Sequence, residues 1–452
     1  MASGSTIDVQ EFMNERPFTG FRIRILIYCF LIVAADGFDT SAIGFIAPAL
    51  REQWGLSPSQ LSLLFVSGLA GLMAGAFVFG PVADRIGRKK VLIAATIWFG
   101  VASILSATAT NVEILAAWRF VGGLGLGGAM PMAITLTSEF SPDRSKSFHM
   151  TIMFCGFTVG GAAGGLAAAG MVADYGWEGV LVIGGIAPLI LAVLLAVALP
   201  ESVRYLVLRG NQEGRITRIL ERVDPAANLN DVRFVGVQRI AGSPVRHMFT
   251  PDLVTGTLLL WLTFFMSLLV YYLLTSWLPT LLKTAGQSHQ SAALIALMLP
   301  IGSTVGAIGI GYLMDRLGAH LTLAAGYMLA AVFIVLLGLS ADNLWLLVLA
   351  VFGAGVGTGG SNTGLNALSA SVYPTASRAT GVSWANAIGR TGSLVGSVVG
   401  GYLLNIGWGL DAVFAAAAVP ALVAAITITV KGRNAGGSGV RRRESLRTTL
   451  QA

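Results

Sequence analysis

Apolar runs long enough to cross a bilayer recur twelve times along this chain, and that repetition constrains it more than any other feature. A spanning helix needs about 20 mostly apolar residues. Because lipid offers no hydrogen bonds to exposed peptide groups, a run of that kind has to be helical. The runs begin with Ile23–Pro48 and end with Leu410–Val430, and one long polar interruption divides them six and six. The expectation is an all-α integral membrane protein of twelve transmembrane helices in two pseudo-symmetric six-helix bundles. Residues 1–22 form an amino-terminal tail and 23–199 the first bundle. Residues 200–252 form a central loop, 253–430 the second bundle and 431–452 a carboxyl-terminal tail. Only 11% of the residues are charged, against about 25% in soluble domains. The 57 glycines suit close helix packing in lipid. The polar first twenty residues and the lack of a small-residue cleavage site predict insertion without removal of a signal peptide. Cys29 and Cys155 lie in apolar runs and are expected to be packing residues, since they form neither a metal spacing nor a disulfide framework.

The basic residues give an orientation. Apart from Arg51 and Lys283 at the opposite side, and Arg119 and Arg390 inside helices, they fall on the side of the two termini. By the positive-inside rule that side is cytoplasmic. The net charge of +7 is thereby read as a topology signal. The basic central loop and the run Arg441, Arg442, Arg443 are expected to face anionic lipid rather than nucleic acid.

Four charges break the apolar runs. Asp36 and Asp39 sit in LIVAADGFDTSAIGFIAPAL. An ionised aspartate at mid-helix costs from about 3 kcal/mol upward, so intramembrane acids mark ion or proton pathways by default. Spaced three apart, they project to nearly the same face. Arg119, in the fourth run, lies at a depth similar to Asp39, which permits an ion pair. Two roles stay open for it: a switch released when the aspartate takes a proton, or a permanent structural pair. Arg390 lies near the midplane of the eleventh run, in a half of the chain with no buried acid. A guanidinium there needs an anion, and its paired donors match a carboxylate. The partner is either a carboxylate ligand or one of the two aspartates.

The halves also repeat. GPVADRIGRKK follows the second run, and GYLMDRLGAH follows the eighth, so Asp84-Arg85 and Asp315-Arg316 occupy equivalent places. Such a repeat predicts two bundles facing each other across a central cavity. The first loop resembles the signature of the major facilitator superfamily. That resemblance implies a conformational latch built from Gly80, Asp84, Arg85, Gly87, Arg88, Asp315 and Arg316, with Gly80 letting helices approach. Glu139 and Arg144, at the end of the fourth run, are read as part of the same charge network, and PESVR after the sixth run as a boundary motif.

DGFDTSAIGFIAPAL, preceded by IDVQEFMNERPF, resembles the aromatic acid/proton symporter family, nearest to its transporters for 4-hydroxybenzoate and protocatechuate. The likeness continues through WRFVGGLGLGGAMPMAITLTSEFSP, FCGFTVGGAAGG, LPESVRYLV, LLTSWLPTLL and YPTASRATGVSWANAIGR. Gly161 stands where proton-driven drug antiporters of the superfamily carry proline, which argues against drug export. The resemblance implies proton-coupled uptake of an aromatic carboxylate by alternating access, across a cell inner membrane, by a chain expected to function as a monomer. Asp36 and Asp39 would carry the proton, and Arg390, with Arg119, would meet the substrate carboxylate. Phe154, Phe157, Tyr271, Tyr272 and Trp384 would line a slot for the ring, with Asn362 and Asn386 reaching a ring hydroxyl. Benzoate, vanillate, gentisate or a nicotinate-like acid are alternative substrates. A non-transporting aromatic-acid sensor is a rival class, which the paired loops disfavour.

No enzyme is expected, since no nucleophile–base set or metal cluster is present. GLGLGG and GAGVGTGG lie in apolar runs and read as packing stripes rather than dinucleotide loops. No GxxxxGK[ST] sequence supports ATP-driven transport. His149, His247, His289 and His320 are isolated and without metal-ligand spacing, and no cofactor is expected.

Overall fold

The computed structural model describes residues 6–227, 229, 232–235, 249–340, 343–373 and 378–451. His247 and Asp342 lie outside them, as do the side chains of Arg378, Arg441, Arg442 and Arg443. The chain opens with strand β1 (Thr6–Asp8) and the short helix α1 (Val9–Glu15). Then follow α2 (Gly20–Trp54), α3 (Pro58–Ile86), α4 (Arg88–Ser106), α5 (Val112–Phe140) and α6 (Lys146–Ala198). The central segment holds α7 (Val203–Arg209), α8 (Glu213–Val223) and strand β2 (Arg233–Val235). The second half runs through α9 (Pro251–Thr284), α10 (His289–Ala296), α11 (Met298–Leu317), α12 (Ala319–Gly338), α13 (Leu344–Val372), α14 (Arg378–Asn405) and α15 (Leu410–Gln451).

Nine helices among the described residues are individually long and apolar enough to cross a membrane. Three observations reconcile that number with twelve runs. The apolar stretch of α6, Phe148–Ala198, is 51 residues long, or roughly 75 Å at 1.5 Å per residue, more than twice a bilayer core of about 30 Å. It breaks at Gly176, whose φ of 69° and ψ of −179° are not helical, so it supplies two spans. Helix α2 passes only together with α1, across a 107° bend. Helix α14, which carries Arg390, is helical throughout but falls outside the nine. Helix α2 also outruns the expected end at Pro48, continuing to Trp54. Its last turn is held by tertiary contacts: the indole nitrogen of Trp177 donates to Gln53 at 2.7 Å, and Trp54 meets the Trp177 ring edge-on at 5.2 Å.

The chain divides into two compact units. One comprises Met1–Trp54 with Val66–Ile240, the other Gly55–Phe65 with Ala241–Ala452. Within the first, α2 and α6 approach until backbone meets backbone. A Cβ on Gly160 would overlap the carbonyl of Ala34, and one on Gly37 would overlap the carbonyl of Phe157. Close approach between α3 and α5 is likewise made at Gly71 and Gly75, against the carbonyls of Phe120 and Leu124. At Gly80, where sequence reasoning placed it, a Cβ would meet nothing within 4 Å. The close approach of α3 to α5 lies one to three turns earlier in the helix.

The segments expected to be a tail and a loop are folded onto the first unit. Strand β1 pairs in parallel with β2, Thr6 opposite Arg233 and Asp8 opposite Val235. Asp8 then caps α1, accepting from the amides of Gln10 at 2.7 Å and Glu11 at 3.1 Å. At the other end of α1, fully buried Arg22 donates to the carbonyl of Met13 at 2.9 Å, a cation where the helix dipole favours one. Asn14 and Asp143 exchange two bonds, at 2.7 and 2.9 Å. Helix α8 buries Ile216, Leu220 and Val223, one stripe at helical period. Basic side chains of the central segment also engage protein: Arg222 lies 4.4 Å from the Phe21 ring centroid and Arg209 donates to the Tyr205 hydroxyl at 2.8 Å, while Arg16 of the amino-terminal segment binds Asp224 at 3.0 Å.

Candidate functional site

In the first unit α2 and α5 bring an aspartate and an arginine together. Arg119 Nη1 lies 2.5 Å from Asp39 Oδ1, and Nη2 donates to the Asp39 carbonyl at 3.2 Å. Both side chains are buried, with Asp39 4% and Arg119 6% exposed. Gly68 on α3 leaves room for the guanidinium: a Cβ there would already touch Nη2 at 3.4 Å. Asp36, three residues earlier and so about 60° around the helix, is equally buried and accepts from Thr40 Oγ1 at 3.3 Å. The Arg119–aspartate pair expected from their depths thus forms with Asp39. Phe154 and Phe157 on α6 are half-buried, and the backbone of Phe157 lies against Gly37 between the two aspartates.

In the second unit α9 and α14 hold Arg390, half-buried, with Nη1 3.5 Å from the hydroxyl of Tyr272. Tyr271 and Tyr272 are buried, their ring centroids 5.8 Å apart. The hydroxyl of Tyr327 on α12 donates to Ser267 on α9 at 2.8 Å, and Ser267 donates to Asn362 Oδ1 on α13 at 3.5 Å. Asn386 shares the Arg390 face of α14 but donates to its own helix at Val382, 3.0 Å away. Trp384 lies about 120° around the helix from Arg390. It is 42% exposed and stacks on Trp261 at 5.8 Å. Asp315 and Asp411 are exposed.

A third cluster occupies the signature-loop end of the first unit. Arg88 forms an ion pair with Glu139 and donates to Ser202 Oγ at 2.9 Å. Ser202 donates to Glu139 at 2.6 Å and accepts the Tyr205 amide at 3.0 Å. Glu201 accepts the amides of Lys89 and Ser202 at 3.0 and 2.9 Å, and the Tyr205 hydroxyl donates to the Arg85 carbonyl at 3.1 Å. Gly87 holds the turn at φ 108°, where a Cβ would collide with the Glu201 carboxylate. Its counterpart Gly318 has φ 87° with nothing within 4 Å of its Cβ position, so the repeat keeps the turn, and no such network surrounds it among the described residues. Asp84, Arg85, Asp315 and Arg316 are exposed, and the Arg316 guanidinium rests 4.5 Å from the Tyr312 ring centroid. Arg144 is exposed and makes no ion pair among the described residues. Its place beside α1 is taken by Asp143. Sequence reasoning missed Glu201, Ser202 and Tyr205 as partners of the loop, although PESVRY stands out as a polar break after an apolar run. Ser202→Ala, which leaves buried Glu139 one donor short, is expected to cost about 1–3 kcal/mol, read as a lower melting temperature in detergent.

The comparisons with known proteins agree with this architecture. The profile of the Major Facilitator Superfamily matches residues 29–333 and 260–451. The chain is 44% identical over 432 residues to the 4-hydroxybenzoate transporter PcaK of Pseudomonas putida, covering 95% of this chain and 96% of that one. It is 42% identical to a gallate transporter of Pseudomonas putida, over 94% of this chain and 95% of the relative. In fold it is similar to the xylose transporter XylE of E. coli in a partially occluded inward-open conformation, with a TM-score of 0.69 at 17% identity, covering 90% of this chain and 97% of the other. Near-complete coverage, the repeated signature loop and the helical architecture lead to one assignment: the chain is a membrane transporter, not an enzyme, and belongs to the Major Facilitator Superfamily, in the same family as these aromatic-acid transporters.

Proposed function

We propose that this protein imports an aromatic carboxylate of the 4-hydroxybenzoate type together with a proton, by alternating access, as a monomer in the cell inner membrane with both termini cytoplasmic. The observation that carries this reading is the buried Asp39–Arg119 pair, found in a chain 44% identical to a 4-hydroxybenzoate transporter. Asp39 is the proton carrier of this reading: its charge holds Arg119, and taking up a proton would remove that charge. Asp36, one turn away, is the second acid of the proton path. Arg390 takes the substrate carboxylate with its planar pair of donors, and the Tyr272 hydroxyl helps to aim it. Tyr271 supplies apolar surface, and Asn362 a polar contact for a ring substituent. The cluster of Arg88, Glu139 and Ser202 braces the signature loop, which acts with Asp84 and the second loop as the conformational latch. Substrate and proton drive the cycle only in so far as each prefers one state over the other.

Uptake of labelled 4-hydroxybenzoate into proteoliposomes tests this directly. Accumulation should require an inward proton gradient and collapse with a protonophore. Movement indifferent to the gradient would remove the role given to the aspartates. Absence of uptake by folded protein, across a panel including gallate, protocatechuate, benzoate and nicotinate, would remove the substrate class. Arg390→Ala should weaken equilibrium binding by about 10-fold or more, and Arg390→Lys should restore only part, because an ammonium cannot form the paired bonds.

A further inference from the structure

The hydroxyls from Tyr327 through Ser267 to Asn362 run in one direction, each donating to the next group. Tyr327 and Ser267 are fully buried. A buried phenol needs an acceptor for its proton, and the acceptor given to Tyr327 is Ser267 Oγ at 2.8 Å. Ser267 has a single hydrogen, which goes to Asn362 Oδ1. An amide whose oxygen is fixed in this way has its NH2 group left over. Asn362 is half-buried, and among the described residues its Nδ2 has no hydrogen-bond partner. Three helices thus combine to make one side chain, mid-way along α13, present a donor and not an acceptor.

We propose that Tyr327 and Ser267 are positioning residues that set the polarity of Asn362, so that the transporter selects aromatic acids whose ring substituent accepts a hydrogen bond. This deepens the proposed function and rests on it. A phenol oxygen satisfies the requirement and so does an ether oxygen. An aromatic amine does not, because its lone pair is delocalised into a ring that bears a carboxylate. Removing the Tyr327 hydroxyl shifts the balance: Ser267 loses the donor that satisfied its oxygen, an amide NH2 from Asn362 replaces that donor, and the amide oxygen turns the other way.

The test uses the full-length protein in proteoliposomes and measures inhibition of labelled 4-hydroxybenzoate uptake by 4-methoxybenzoate, an acceptor, and by 4-aminobenzoate, a donor. The readout is the ratio of the two inhibition constants, in which steric preference cancels between variants. Tyr327→Phe should shift that ratio toward 4-aminobenzoate by about fivefold or more. Ser267→Ala, which removes one oxygen from the same chain, should shift it in the same direction. A general loss of packing would weaken both inhibitors alike and leave the ratio in place. A ratio that stays within twofold of the parent protein in both variants, while 4-hydroxybenzoate is still taken up, overturns the relay and leaves the transport reading standing. Failure of the parent protein to take up 4-hydroxybenzoate or to bind any of the three acids overturns both.

Discussion

Asp39→Asn is expected to abolish proton-driven accumulation of 4-hydroxybenzoate and, in the same molecule, to lower thermal stability. The substitution keeps the shape of the side chain and removes its charge, so Arg119 is left buried opposite a neutral amide. Breaking a buried ion pair from one side costs about 3–5 kcal/mol. Loss of stability alone would therefore explain a dead transporter. The double variant Asp39→Asn with Arg119→Gln separates the two effects. With neither charge present the desolvation cost disappears, and melting temperature should recover most of the way. Accumulation under a proton gradient should not recover, because no carboxylate remains at that position to take the proton. Exchange of labelled for unlabelled substrate, which needs no net proton movement, should return with stability. A stable double variant that still accumulates substrate against its gradient would assign the pair a purely structural role.

Gly160→Ala should be strongly disruptive for a single added methyl group. Helices α2 and α6 touch backbone to backbone, and the added carbon would fall on the Ala34 carbonyl. A flexible side chain could move aside; a helical peptide oxygen cannot without displacing α2 and the aspartates it carries. Overpacking of this kind costs at the upper end of about 1–3 kcal/mol, or more. Gly170→Ala provides the internal comparison. It lies on the same helix, is exposed, and has nothing within 4 Å of its Cβ position. There alanine should be neutral or stabilising by up to about 1 kcal/mol, from helix propensity. Equal melting temperatures for the two variants would contradict the packing described for α2 and α6.

Much of this was legible because membrane spans are local. A run of twenty apolar residues announces its own helix, whatever it packs against, and the twelve runs fall on helices, two of them on halves of α6 and the eighth across α10 and α11. The Asp39–Arg119 contact was legible for a related reason: two charges at the same depth in lipid have few places to go. Contacts that depend on which face of a helix turns inward were not. Trp384 and Arg390 share α14, yet a separation of six residues sets them on different faces. Gly80 was read as the point of approach from its place in the loop motif, while the seam is set by the spacing of Gly71 and Gly75 against α5. The pairing of β1 with β2 left no local signal at all: three residues at each end, with neither alternation nor a turn between them. The network around Glu201 and Ser202 was hidden similarly, since its members stand more than a hundred residues from Arg88 and Lys89.

That strand pairing sets a clock on biogenesis. Residues 6–8 leave the ribosome before their partner strand at 233–235, which emerges roughly 230 residues later. At about 5–20 residues per second, the gap is on the order of 10–50 s. Throughout it, residues 6–8 are without their strand partner while six spans are being inserted after them. A bulky fusion at the amino terminus would intrude on this late joining, whereas one at the carboxyl terminus would follow it.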